Sequence, residues 1–469
     1  MLPFWTVLPF VSLLLSIAII PLVWPHWWES NTHKGLVSLA LGGFVLAYLL
    51  AAAPQGAGER VFITLLDYVA FIALLGSLFV ISGGIYIKGS FAGTPRVNGL
   101  FLLGGAILAS VMGTTGASML LVRPLIRANA WREKQAHVMV FLTFLVANIG
   151  GVLTPLGDPP LYLGFLKGVP FQWTLILFPH WAFTVALVLG IFWVLDTIYY
   201  RAEIGAGRRP AEGAKEPLGI EGAINFLWLA LIVAAIFCSG ILGTSHAIHE
   251  MEKQAPLLTE VLLKLGQAAA MLLVAWCSVR TTARRVREQN AFNYAPILEV
   301  AVLFIGIFLT MIPALWILDQ LGKTGQLALT RPWQFFWASG GLSSFLDNAP
   351  TYLTFSAAAS GLHHQFIGLG GTPVATDPNN LALLLESTGR LMRNGLPVDL
   401  GPGTQFVKAI ACGSVFMGAN SYIGNGPNFM VKTIAEQNGV RMPSFFGYMV
   451  YSIAFLIPVF LLVTVVFFR

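Results

Sequence analysis

The sequence predicts an all-α polytopic membrane protein made of two inverted-topology repeats, each with a re-entrant hairpin and a broken transmembrane helix. Three observations predict it. The 469 residues are 56% hydrophobic and 10% charged, with a mean hydropathy of +0.76, whereas soluble domains run near ~25% charged. Apolar runs long enough to span the hydrocarbon core, such as 4–24, 173–195 and 445–468, recur along the chain. Two polar, glycine- and proline-rich strings interrupt such runs at corresponding places. They read Asn148-Ile149-Gly150-Gly151-Val152-Leu153-Thr154-Pro155-Leu156-Gly157-Asp158-Pro159-Pro160 and Gly418-Ala419-Asn420-Ser421-Tyr422-Ile423-Gly424-Asn425-Gly426-Pro427-Asn428. Non-helical backbone at membrane depth survives only where protein or a water-filled cavity surrounds it.

The first run, 4–24, lacks a basic start and a small-residue cleavage site, so it reads as a helix of the mature protein and not a signal peptide. Further crossings are expected at 35–53, 61–83, 135–167, 172–196, 222–243, 258–279, 294–318, 404–438 and 444–468, making about ten in all. The fourth and ninth contain the polar strings, so each divides into two half-helices. Segment 97–127 is apolar but split at Gly113-Thr114-Thr115-Gly116-Ala117-Ser118, and 332–361 is split at Ser343-Ser344-Phe345-Leu346-Asp347-Asn348-Ala349-Pro350. Limbs of about 12–16 residues fall short of a span, so each pair is expected to dip in and return. A polar insert, 362–403, has one amphipathic helix expected at 379–394.

Loop charge supports the hairpin reading. Lys88 and Arg96 precede the first hairpin; Arg123, Arg127, Arg132 and Lys134 follow it. Arg201, Arg208, Arg209, Lys215, Arg280, Arg284, Arg285 and Arg287 then fall on the same side, which the positive-inside tendency assigns to the cytoplasm. Asp67 and Glu299 lie 232 positions apart, and Thr115 and Asn348 lie 233 apart. The breaks are separated by 267, the insert accounting for the excess. An odd number of crossings per half turns the second half upside down. The expected organisation is a first repeat at 1–199, a cytoplasmic linker at 200–221 and a second repeat at 222–469. The net charge of +6 resides in basic loops and makes no stripe interleaved with aromatics, so no nucleic-acid surface is expected. Cys238, Cys277 and Cys412 have no metal-type spacing and read as small buried hydrophobes. No nucleophile set or nucleotide loop suggests an enzyme, and no cofactor is expected.

A matched pair of interrupted helices is the sequence pointer to the binding site of a secondary transporter. Polar side chains gather there: Asn148, Thr154 and Asp158 in the first break; Asn420, Ser421, Asn425 and Asn428 in the second. The hairpin tips add Thr114, Thr115 and Ser118, then Ser343, Ser344, Asp347, Asn348 and Thr351. Hard oxygen donors suit a small hard cation, so sodium is expected at Asp158, Asp347, Asn148 and Asn420. A carboxylate at membrane depth costs several kcal/mol unless paired or bound to a cation. One that holds either a proton or Na⁺ suffices for antiport. The plainer readings are a helix cap for Asp158, which stands before two prolines, and a turn residue for Asp347. Asp67 and Glu299 are either further proton carriers or ion-paired groups near helix ends. Arg123 sits among basic loop residues that set orientation, with anion binding as the alternative. His246, His249, His363 and His364 read as solvated loop residues.

The string Ala147-Asn148-Ile149-Gly150-Gly151 through Leu156-Gly157-Asp158-Pro159-Pro160, with two hairpins and two broken helices, resembles the ion transporter superfamily. That superfamily includes NhaD-type sodium/proton antiporters, arsenite permeases and the citrate and dicarboxylate carriers. The string and the tip Asp347-Asn348-Ala349-Pro350-Thr351 are most similar to the antiporter and arsenite-permease branch. The resemblance implies a scaffold region and a moving transport region in each half. Dicarboxylate carriers of this superfamily place Ser-Asn-Thr at both tips and are often dimers, which makes a homodimer an expectation here. This chain instead has Thr114-Thr115-Gly116 and an acid, Asp347. Such an acid would repel a substrate carboxylate by on the order of 1–4 kcal/mol in a partly wet site. The expected function is therefore Na⁺/H⁺ antiport in a bacterial inner membrane, with small inorganic cation, proton and lipid bilayer as partners. The alternatives are Na⁺- or H⁺-coupled citrate/dicarboxylate transport, or arsenite/antimonite extrusion involving Cys412.

Overall fold

The computed structural model describes residues 2–469 except 53–55, 90, 210–216, 218, 244–247, 249–250, 252–253, 291, 324–328, 364–365, 368–372, 375–377, 379 and 394–395. The longer helices run in chain order as α1 (Leu8–Val23), α2 (Asn31–Ala52), α3 (Ala57–Ser82), α4 (Pro95–Met112), α5 (Thr114–Asn129), α6 (Ala136–Leu145), α7 (Pro159–Leu166), α8 (Phe178–Gly205) and α9 (Ile224–Gly243). They continue as α10 (Pro256–Thr281), α11 (Ala295–Lys323), α12 (Pro332–Ser343), α13 (Asn348–Leu362), α14 (Gly403–Met417) and α15 (Gly426–Gln437). A last helical stretch, Phe445–Phe467, passes through one π-turn at Ser452–Leu456. Among the described residues, nine stretches are long and apolar enough to cross a membrane. The protein is an all-α, multi-pass membrane protein.

Both expected helix–tip–helix pairs and both breaks are present. In the first hairpin the Thr94 hydroxyl accepts from the Val97 amide at 3.3 Å and Pro95 opens α4. The helix ends at Gly113, whose φ of +81° suits glycine and turns the chain into α5. The limb is longer than expected: α4 has 18 residues and is one of the nine candidate spans. Gly113, and not limb length, makes this a hairpin. The first broken helix is the most enclosed of the nine candidate spans, with 89% of 136–153 buried.

The insert differs from expectation. Among the described residues of the expected helix, Leu381–Glu386 are helical, and β5 (Thr388–Arg393) pairs antiparallel with β6 (Leu396–Pro402), where the helix was expected to continue to 394. Gly389 and Gly401 face each other in this ladder, and Gly401 has φ +76°, so glycine chemistry favours a strand pair. The strands β3 (Phe366–Ile367) and β4 (Pro373–Val374) form a second small pair. The linker is partly structured: α8 extends to Gly205, and β2 (Gly219–Glu221) pairs with β1 (Tyr86–Lys88).

The two halves exchange partners in the scaffold. α2 packs on α11, and α10 packs on α3. The first contact is close, since a Cβ on Gly306 would meet Ser38 at 2.7 Å. Each interface carries a lysine–carboxylate pair: Lys34 Nζ meets Glu299 at 2.7 Å, while Lys264 pairs with Asp67, which also takes Lys167 at 2.7 Å. Asp67 and Glu299 are thus both ion-paired, as one of the two readings expected.

Candidate functional site

The two breaks share one backbone. In the first, a 3₁₀ turn at Ile149–Leu153 leads to extended Thr154 (φ −142°, ψ 159°) and Asp158 (φ −148°, ψ 144°). In the second, a turn at Gly418–Asn420 leads to Ser421 (φ −143°, ψ 168°) and Asn425 (φ −155°, ψ 142°). The same bonds hold both. Thr154 donates to the Ser110 carbonyl at 2.5 Å and accepts from the Leu156 amide at 3.1 Å. Ser421 donates to the Ser344 carbonyl at 2.5 Å and accepts from the Ile423 amide at 3.2 Å. Each hydroxyl therefore ties its break to a neighbouring hairpin. Gly157 and Gly424 are needed for a close approach, because a Cβ there would overlap the carbonyls of Gly151 and Gly418.

Three elements converge on Asp158 in the first break. Its Oδ1 accepts from the Thr114 hydroxyl at the first hairpin tip (3.1 Å) and from Asn425 Nδ2 in the second break (3.4 Å). Its Oδ2 accepts from Asn348 Nδ2 at the second tip (2.5 Å). Asp158 is 1% exposed, and among the described residues no basic side chain pairs with it. Its side chain makes no bond to the first turn of α7, so the cap reading describes its backbone position alone. The amides around it extend the cluster. Asn425 Nδ2 also reaches the Ala147 carbonyl at 3.0 Å, and Asn148 Nδ2 donates to Thr143 O at 2.8 Å and Asn428 Oδ1 at 2.7 Å. Asn428 closes the set on the carbonyls of Gly418 and Ser421, both at 2.8 Å. Asn348 Oδ1 is buried with no hydrogen-bond donor, directly beside the carboxylate. Turning that amide over would aim the oxygen at Asp158, so the network fixes its orientation.

Other expected residues have different places. Asp347 does cap its helix, accepting from the Ala349 amide at 3.1 Å. It is half-buried and, with Thr114, Thr115 and Asn425, lines a small cavity of about 70 Å³. Thr351 donates to the Asp347 carbonyl at 3.0 Å and so braces the tip. Asn420 is not brought to Asp158: its amide donates to Ser344 Oγ at 2.9 Å and its carbonyl accepts from Ser452 at 2.8 Å. Its own buried Oδ1 has no donor. Of the expected sodium ligands, Asp158 and Asn148 share one cluster through Asn425, while Asn420 belongs to another. Cys412 is fully buried within α14. His363 is also buried, with Nδ1 3.0 Å from the Ala359 carbonyl, contrary to the solvated expectation. His246, His249 and His364 lie outside the described residues.

The sequence reading missed a further buried acid. Asp196 accepts from Asn98 at 3.0 Å, lies 2.8 Å from His137 Nε2 and pairs with Arg132. An acid inside the apolar run of α8 was the available signal.

The small cavity at Asp347 adjoins a larger one of about 350 Å³, the two sharing Phe79, Gly116, Pro296 and Met430 in their walls. The larger one is bounded by Gly83, Asn290 and Phe292, in loops of the basic face. Thr114 and Asn425, which both bond Asp158, line the smaller cavity, so the polar centre borders a space that adjoins the basic face. The whole chain, residues 1–468, matches the family model CitMHS_2, described as "Putative citrate transport". The chain belongs to this family. A search of curated proteins finds no significant match. Membership of a citrate-transport family makes this a membrane transport protein and fits the absence of an enzyme motif from the sequence reading. The family match does not single out the NhaD-type branch and agrees with the citrate alternative.

Proposed function

We propose that the protein carries citrate, or a carboxylate of similar chemistry, across a bacterial inner membrane, coupled to a cation or proton taken up at Asp158. The observation that carries this reading is the convergence of three neutral donors on a buried carboxylate that has no basic partner among the described residues. Such a group demands neutralisation, because an unpaired charge at this depth costs several kcal/mol. A proton supplies it directly. A small hard cation such as Na⁺ also fits, since Asn348 Oδ1 offers an unused oxygen beside the carboxylate.

Coupling follows from electrostatics. With Asp158 and Asp347 both charged, an incoming carboxylate is repelled; with the cation or proton bound, it is admitted. The N-terminal ends of α7 and α15 then present positive dipole ends to the anion. Cation and anion therefore stabilise each other's binding, and neither crosses efficiently alone. The halves are read as inverted repeats whose transport regions, hairpin plus broken helix, move against α2, α3, α10 and α11 to alternate access. Purified protein in proteoliposomes should take up labelled citrate when a Na⁺ or pH gradient is imposed, and not without one. Uptake indifferent to both gradients would refute the coupling.

A second reading, cation/proton exchange without an anion, is favoured by the presence of two carboxylates at the site. Vesicles challenged with Na⁺, Li⁺ and K⁺ separate the two: pH changes driven by a cation in the absence of citrate would establish exchange.

A further inference from the structure

The cavity between the Asp158 cluster and the basic face contains a charge that the proposed function does not use. Arg123, on α5, lines the larger cavity and is half-buried. Among the described residues no carboxylate lies within ion-pair distance of it, in contrast to the fully buried basic groups. Lys34 has Glu299, Arg132 has Asp196, and Lys167 and Lys264 share Asp67. The acid on the same wall, Glu299, is already held by Lys34 at 2.7 Å. The cavity therefore carries uncompensated positive charge, with Thr433 and Gln437 supplying neutral polar groups nearby.

A guanidinium presents a planar fork of donors that matches a carboxylate, and partial burial strengthens that bond. We propose that Arg123 is an anion-docking residue that binds a carboxylate of the substrate in this cavity, between the Asp158 cluster and the basic face. This rests on the carboxylate reading of the function and deepens it, by assigning a low-affinity station on one side only. The basic face is the cytoplasmic one by charge bias. The station then lies on the path of release during uptake and of entry during efflux.

Right-side-out and everted vesicles test it with labelled citrate as the probe. Arg123→Gln should raise the half-saturating citrate concentration on the basic face by on the order of ten- to a hundredfold, the range expected when a hydrogen bond to a charged group is lost. The value on the opposite face should stay within twofold, which also shows that the variant is folded. Arg123→Lys, which keeps the charge but not the fork, should fall between. Should Arg123→Gln fail to assemble, Thr433→Glu serves instead, because a new carboxylate in the same cavity should produce the same one-sided loss. Equal change on both faces, or none on either, overturns the assignment while leaving citrate transport standing. Wild-type vesicles that carry no carboxylate at all would overturn the functional reading and this assignment together.

Discussion

The first and second breaks have the same backbone and different chemistry. Thr154 and Ser421 make the same pair of bonds, and Gly157 and Gly424 allow the same close approach. Yet the residue at the head of the following half-helix is Asp158 in one and Asn425 in the other, with dihedral angles within 10°. The architecture that unwinds a helix inside the bundle is thus separate from the charge that gives the site its ion chemistry. A carboxylate and an amide have nearly the same shape, so either fits the backbone; only the first carries a charge that a proton or a cation can neutralise. The Asn425 amide then donates to Asp158 across the interface at 3.4 Å, so the neutral half serves the charged one.

Removing that difference should have the largest effect. Asp158→Asn makes the two breaks alike, and coupled citrate uptake should fall by at least about 100-fold, because no carboxylate remains to be neutralised there. The variant should still fold, since Asn can keep the Thr114 bond; one facing amide loses its acceptor, at a cost of about 1–3 kcal/mol. The double change Asp158→Asn with Asn425→Asp moves the charge to the other break and should restore part of the coupling. No recovery would mean that the side of the site on which the charge stands matters as much as its presence.

The shared backbone can be broken without touching charge. Gly157→Ala and Gly424→Ala each force a methyl group onto the carbonyl of a glycine in the same break, so both should prevent recovery of folded protein in detergent. Gly426→Ala, where an added methyl meets nothing within 4 Å, should purify normally. Tolerance of one alanine but not the other, at 157 and 424, would show that the breaks are alike in outline but not in tightness.

Much of this was legible in the sequence for a physical reason. Glycine, proline and asparagine inside apolar runs have few uses other than an unwound segment that lipid never touches, so both breaks and both hairpins could be placed before any coordinates. Asp158, Asn348, Asn425 and Thr114 stood out because polar groups at that depth are expensive. What could not be read was pairing at a distance. Lys264 lies 197 positions from Asp67, and Lys34 lies 265 from Glu299, so four charged residues looked like four separate questions. Asn420 was assigned to the ion site by its position in the break, but its side chain turns to Ser344. The helix expected over 379–394 rested on apolar spacing in a segment whose glycines allowed a strand pair instead. His363 was read as solvated from its place at the start of a polar insert, yet it packs against Phe406 with ring centroids 4.9 Å apart.

The smallest expected effect concerns the same comparison at the scaffold. Asp67 lies on α3 and Glu299 on α11, and each bonds a lysine distant in sequence. Their surroundings differ. The Asp67 side chain is 4% exposed and serves two lysines, whereas that of Glu299 is 44% exposed and serves one. Replacing a carboxylate by its amide deletes the charge and little else. Asp67→Asn removes the carboxylate that Lys167 and Lys264 share, while Lys264 keeps Glu260 at 2.6 Å. That should cost about 3–5 kcal/mol, the range for breaking a buried ion pair from one side. Glu299→Gln removes a half-exposed charge but leaves the buried Lys34 ammonium with the amide oxygen as its acceptor, so the cost should be smaller, about 1–3 kcal/mol. Unfolding of the two variants in detergent, followed side by side, measures the gap. Equal losses would mean that solvent access does not distinguish the two pairs, and that the exposed side of Glu299 is closed to water in the state that predominates in solution.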